Sequence, residues 1–149
     1  MPEIAENELE LTVTRTIVAP REAVFNAWLS PVILARFMRT AADGVEAREV
    51  TTDAVKGGRF RIVMVTPERE IPHSGTYLEV SPYSRLSFTW ESPHSLDDSV
   101  VTIDFAESVP GQTDITLKQV KFRSEDARDG HIRGWTAILD YLDSSLVPA

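Results

Sequence analysis

The chain of 149 residues carries 15 Lys plus Arg against 23 Asp plus Glu, no cysteine and 42% hydrophobic residues, which suits one soluble domain with a core of its own. The lack of cysteine excludes disulfides, thiolate metal centres and a cysteine nucleophile. A formal charge of −8 disfavours nucleic acid and anionic membrane surfaces, because both require clustered Lys and Arg to displace counterions.

The acidic start, Pro2 to Glu6, lacks the basic-then-apolar pattern of a secretory signal, and the apolar run Ile62 to Val65 is too short to cross a bilayer. A cytoplasmic protein without membrane insertion is therefore expected, with residues 1–8 a frayed terminus and 9–147 a single domain. Leu9, Leu11, Val13 and Ile17 alternate with Glu10, Thr12, Thr14 and Thr16, the pattern of a half-buried strand, with Arg15 the one charge on its apolar side. Ala19-Pro20 ends that strand and opens a helix bearing Val24, Phe25, Trp28 and Leu29 at helical spacing. Ser30-Pro31 breaks it, and a second short helix follows over about Val32 to Met38.

From Val45 to Phe122 the period is two, and short strands are separated by turn chemistry such as Lys56-Gly57-Gly58, Thr66-Pro67-Glu68, Ser81-Pro82-Tyr83-Ser84 and Val109-Pro110-Gly111. Connections this short predict an antiparallel meander of about six strands. Parity assigns Phe60, Ile62, Met64, Leu78, Val80, Leu86, Phe88, Trp90, Val101, Ile103, Phe105, Ile115 and Leu117 to the inner face, and Arg59, Arg61, Tyr77, Glu79 and Lys118 among others to the outer one. After Phe122 the period is helical again. Ser124 is the expected N-cap, and His131, Trp135, Ile138, Leu139, Leu142 and Leu146 form one stripe. One helix cannot cover the whole concave face of a strongly curved sheet, so a cavity between the two is a physical expectation of this α+β layout.

The order of elements and the residues at their joints resemble the helix-grip superfamily that includes the Bet v 1 allergens and START lipid-binding domains. More narrowly, the chain resembles the bacterial relatives of the Hsp90 ATPase activator's C-terminal domain. Carrying the likeness are Ala19-Pro20, Val24-Phe25, Ala27-Trp28, Gly57-Gly58, Phe60-Arg61, Gly75, Tyr77 to Val80, Arg85 to Trp90 and Gly134-Trp135. The resemblance implies a curved antiparallel sheet of about seven strands wrapped around a long C-terminal helix, with two short helices after the first strand. Its implied activity is mostly the binding of hydrophobic ligands, with scattered enzymes such as polyketide cyclases and aromatases. Two departures stand out: Phe37-Met38 where many relatives carry Trp, and Gln119 where many carry His.

His73, His94 and His131 fall in separate elements without metal-ligand spacing, so no metal is expected, and no cofactor fingerprint or nucleophile elbow occurs. The pairs Glu68/Glu70 and Asp97/Asp98 fall in connections, where solvation is their ordinary role. Met64, Trp90, Trp135 and Leu139 supply the apolar wall of the expected cavity; Thr76, Gln119, His131 and Arg15 are the candidate polar contacts. Gly134 inside the last helix costs about 0.5–1 kcal/mol relative to Ala, which close backbone approach or room for a ligand would offset. The expected partner is a small hydrophobic or aromatic molecule, and a homodimer is compatible with the sequence. The competing readings are an enzyme of cyclase or aromatase type acting on an aromatic substrate, and an Hsp90 co-chaperone-like interaction module.

Overall fold

The computed structural model describes residues 9–38, 46–92 and 99–146. The expected frayed terminus, His94 and the Asp97/Asp98 pair lie outside them. Strand β1 (Glu10–Ile17) leads into two short helices, α1 (Arg21–Ala27) and α2 (Pro31–Phe37). Six strands follow, β2 (Glu46–Thr52), β3 (Arg59–Val65), β4 (Glu70–Ser81), β5 (Arg85–Thr89), β6 (Val100–Val109) and β7 (Gln112–Val120), and the long helix α3 (Glu125–Leu146) closes the chain. Pro20 precedes the first turn of α1 as expected, and Pro31, expected only to break the preceding helix, itself occupies the start of α2, where its missing N–H is not needed. The Ser124 hydroxyl accepts the Ala127 N–H at 3.1 Å and caps α3.

All seven strands form one antiparallel sheet in the order β1-β7-β6-β5-β4-β3-β2. Only β1 departs from sequential order, and α1 and α2 carry the chain from it to β2 at the opposite edge. Those helices pack on β6, β7 and β2, while α3 lies against β1 and α2. Between sheet and helices sits the core, with Ile17, Val24, Phe37, Leu86, Val101, Ile103, Leu117 and Leu142 wholly inaccessible. Among its buried polar groups, the Thr113 hydroxyl donates to the Ala19 carbonyl at 2.8 Å, joining β7 to the turn before α1.

Alternation places nearly all the inner-face residues correctly, with one reversal. Tyr77 is buried at 2% exposure and Leu78 is 42% exposed, the opposite of their expected faces. The pairing of β4 with β5 shifts between Tyr77 and Glu79, and an irregularity of this kind flips the parity of every residue beyond it. Arg15 also differs from its expected role. It is exposed, and its guanidinium reaches Asp140 at 2.7 Å and Asp143 at 3.2 Å on α3, while Asp143 accepts the Val18 N–H at 3.0 Å. Arg15 thus helps to tie the last helix to the first strand.

On the outer face Arg59, Thr76, Thr89 and Glu91 form a polar network spanning three segments. The Arg59 guanidinium donates to Glu91 at 3.2 and 3.3 Å and to the Thr76 hydroxyl at 2.8 Å, and the Thr89 hydroxyl donates to Glu91 at 2.8 Å. The Arg59 hydrogen bonds hold the Glu91 carboxyl below its ordinary 4.5; desolvation opposes them, and the Thr89 hydroxyl adds a lesser lowering. The native state therefore binds this proton less readily than the unfolded chain. The associated stability is complete above the unfolded value near 4.5 and is lost as pH falls through the lower native value. Glu91→Gln is expected to flatten the acid limb of a stability-versus-pH curve measured by urea unfolding; an unchanged limb would show that the network does not hold in solution.

Candidate functional site

A hollow of about 500 Å³ lies between the N-terminal half of α3 and the inner face of the sheet. Met64 of β3, His73 of β4, and Trp90 and Ser92 after β5 form the sheet side, and Arg123 stands in the connection that leads into α3. The helix contributes Ala127, Gly130, His131, Gly134, Trp135 and Ile138, with Ser124 at its cap. Spacings of three and four set these residues on one face, which is why one stripe meets one cavity.

Apart from Arg15, which pairs with Asp140 and Asp143 of α3, four of the seven remaining expected site residues meet here: Met64, Trp90, His131 and Trp135. The other three do not line the hollow. Thr76 belongs to the outer-face network with Arg59. Leu139 is packed in the core at 1% exposure. Gln119 is fully buried behind the wall, where its amide oxygen accepts the Trp135 indole N–H at 2.7 Å and its amide nitrogen donates to Ser99 at 2.9 Å. Ser99 in turn donates to the Val120 carbonyl at 2.7 Å. This relay fixes the indole plane of Trp135 from behind and gives the Gln at that position a positioning role.

Three rings surround Trp90 at the hollow, Trp135 from α3 and His73 and Phe60 from the sheet. The Trp90 ring lies 4.9 Å from Trp135 and 5.0 Å from His73, and 6.2 Å from Phe60 in stacked orientation. Deeper in, Trp28, Leu34, Met38, Phe60, Ile62, Tyr77 and Phe88 close the gap to a void of only about 10 Å³, about the least that holds one water. The sheet-to-helix space is therefore filled at its α1/α2 end and open at its α3 N-terminal end. Burial pushes the Tyr77 phenol well above its ordinary value, with the nearby Asp53 charge adding to the shift, so this phenol stays neutral. Trp28 and Trp90 bury indole N–H groups that no described residue accepts.

The glycines of α3 open the cavity. A Cβ built on Gly134 meets nothing within 4 Å, and one built on Gly130 meets only the end of the Arg133 side chain at 3.8 Å. Close backbone approach is thus not the reason for Gly134; the missing side chain is room in the hollow. Both histidines have their tautomers set, since Nδ1 of His131 donates to the Ala127 carbonyl at 2.7 Å and Nδ1 of His73 to the Ile71 carbonyl at 3.2 Å. Carbonyls only accept, so in each neutral ring Nε2 is the basic nitrogen. Among the described residues no group of three or more His, Asp or Glu is arranged to hold a metal ion.

His73, Ser92, Arg123, Ser124, Ala127 and Gly130 are among the lining residues that sequence reasoning missed. The β3–β4 hairpin register, which sets Ile62 opposite His73, was the available signal for the first. Arg123 sits in a connection where no periodicity points anywhere.

A seven-stranded antiparallel sheet gripping a long C-terminal helix, with a hollow between them, defines the helix-grip class. Within it the chain belongs to the Activator of Hsp90 ATPase homolog 1-like family, whose model matches residues 18–146, and this family typically has a ligand-binding fold. A crystal structure of a Chromobacterium violaceum protein is similar, with a TM-score of 0.83 at 23% identity, covering 94% of this chain and 98% of that one. So is the solution structure of an AHSA1-like protein from Aeromonas hydrophila, with a TM-score of 0.78 at 27% identity, covering 93% and 92%. A Nitrosomonas europaea protein matches with a TM-score of 0.78 at 23% identity over 97% and 96%. No curated protein of described function matches the chain. No helix among the described residues is long and apolar enough to cross a membrane.

Proposed function

We propose that this protein binds a small hydrophobic or aromatic molecule in the hollow between α3 and the sheet. The observation that carries the reading is an aromatic wall beside an open notch: Trp90 and Trp135 border a space of about 500 Å³ into which Gly130 and Gly134 project no side chain. That volume falls in the range of small-molecule sites, roughly 300–1,000 Å³. Flat apolar ligands suit such walls, since indole faces bury large area at little entropic cost.

Filling the notch is the direct test. Gly134→Leu is expected to weaken a fluorescent apolar probe at least about tenfold, a loss of about 1.4 kcal/mol, without lowering the unfolding midpoint. Wild-type affinity in the folded variant would place the binding elsewhere. A second reading, an enzyme of cyclase or aromatase type, draws on the two imidazoles that line the hollow, the side chain most often used for proton transfer. Turnover lost in His131→Gln while probe affinity stays constant would select that reading over simple binding.

A further inference from the structure

We infer that the ligand of this hollow carries a neutral carbonyl oxygen, and that this oxygen enters the small inner void to accept the indole N–H groups of Trp28 and Trp90. The inference rests on the binding function proposed above and adds the polar half of the recognition. The three tryptophans of the chain are unequal. Trp135 donates its N–H to Gln119 at 2.7 Å. Trp28 and Trp90 are just as buried, at 2% and 3% exposure, yet their N–H groups meet no acceptor. Among the described residues these are the only buried side-chain nitrogen or oxygen atoms without a hydrogen-bond partner. An indole nitrogen only donates, and an unpaired buried donor is costly, so each such group calls for an explanation. Two of them beside one space share an explanation: an acceptor that the chain itself does not supply.

Both indoles border the inner void. Its volume of about 10 Å³ is close to one water-sized sphere, room for a single atom of the size of an oxygen. Trp90 lines the large hollow as well, so the two spaces share that ring as a wall. A flat ligand laid against Trp90 and Trp135 therefore has to send only one atom inward. The two indole nitrogens are closed to solvent, so water standing in the open hollow does not satisfy them.

The donors select the chemistry. A carbonyl oxygen has two lone pairs and no proton, so it takes both N–H groups and leaves nothing of its own unpaired. A hydroxyl would bring a further donor to a place that already holds two, and an ammonium offers no acceptor at all. A carboxylate would bring a charge into a void that has no cation among its described lining residues, at the high cost of burying an unpaired ion. The Asp53 charge that acts on the neighbouring Tyr77 phenol would repel it further. The class that fits both spaces is a flat apolar ketone or a closely related carbonyl compound, with its hydrocarbon part against Met64, Trp135 and Ile138.

The test titrates the isotope-labelled full chain with 2-acetylnaphthalene and with 2-ethylnaphthalene, which has CH₂ in place of the carbonyl, and follows both by proton–nitrogen correlation NMR. Trp28→Phe and Trp90→Phe assign the indole signals, each by the peak it removes. The ketone is expected to bind about tenfold more tightly, within the range that pairing a buried orphan donor gives. It should also move the Trp28 and Trp90 indole protons downfield, while that of Trp135, already bonded to Gln119, moves less. In Trp90→Phe, which keeps a ring in the wall, the ketone should lose most of its advantage; if this variant fails to fold, the wild-type spectra decide alone. Equal affinity for the two probes overturns the carbonyl assignment and leaves the hydrophobic site intact. A ketone preference with the Trp28 and Trp90 signals unmoved puts the oxygen elsewhere and overturns the subsite. Signals already downfield in the free protein and unchanged by the ketone would give the void to a bound water, which also overturns it. If neither probe binds, the binding function itself fails and this inference fails with it.

Discussion

Trp135→Ala is expected to lower the unfolding free energy by about 3–5 kcal/mol, the usual range for losing a buried large aromatic. The indole is 2% exposed and in ring contact with Trp28 at 6.3 Å and Trp90 at 4.9 Å. Truncation removes those contacts and also strands the Gln119 amide oxygen, which accepts the indole N–H at 2.7 Å in a fully buried position. Trp135→Phe separates the two effects. It keeps most of the ring and loses only the donor, so its cost should be about 1–3 kcal/mol, the range for leaving one buried acceptor unpaired. Urea unfolding followed by circular dichroism measures both. A loss below about 1 kcal/mol in Trp135→Ala would mean that the indole acts only as the side of a space already open, and that the Gln119 relay contributes nothing to stability.

Much of this arrangement can be read from periodicity, for a physical reason. A strand buried on one face exposes every second residue, so Leu11, Val13, Ile103, Phe105, Ile115 and Leu117 report their own orientation, and all are buried. The same applies to α3, whose stripe delivers Trp135, Ile138, Leu139 and Leu142 to the interior. Parity fails where registers shift. Tyr77 and Leu78 exchange faces at the β4–β5 irregularity because no local residue pattern announces it. Hydrophobic alternation also stops at burial and does not say what a buried group touches. Gln119 has the inward parity expected of a ligand contact, but its amide is consumed by Trp135 and Ser99. The polar rim was the least legible part, since Arg123 owes its place to the connection between β7 and α3 and to no periodic element.

The space occupied by each glycine is likewise hidden from the sequence, and it reverses the expected sign of one substitution at two sites. Gly134→Ala should stabilise the protein by about 0.5–1 kcal/mol, because the helical backbone prefers Ala and nothing lies within 4 Å of the added carbon. Gly75→Ala should destabilise it by about 3 kcal/mol or more, at the upper end of overpacking costs. Gly75 pairs across the sheet with Phe60 of β3, and a Cβ there would run into the Thr89 carbonyl oxygen and come within 2.6 and 2.7 Å of the Phe60 ring. The backbone beside that carbonyl cannot easily retreat, because Ser74 and Glu91 exchange two backbone hydrogen bonds of 2.9 and 2.8 Å. The ring is confined too, by Tyr77 at 5.4 Å, Phe88 at 5.2 Å and Trp90 at 6.2 Å. Relief by moving Phe60 would press on Trp90 and so distort the wall of the hollow, so probe affinity should fall together with stability in Gly75→Ala. Thermal unfolding and probe titration of the two alanine variants side by side check both signs. A Gly75→Ala protein as stable as the wild type would show that β4 and β5 can separate here at little cost, and that the aromatic cluster does not hold the hollow open.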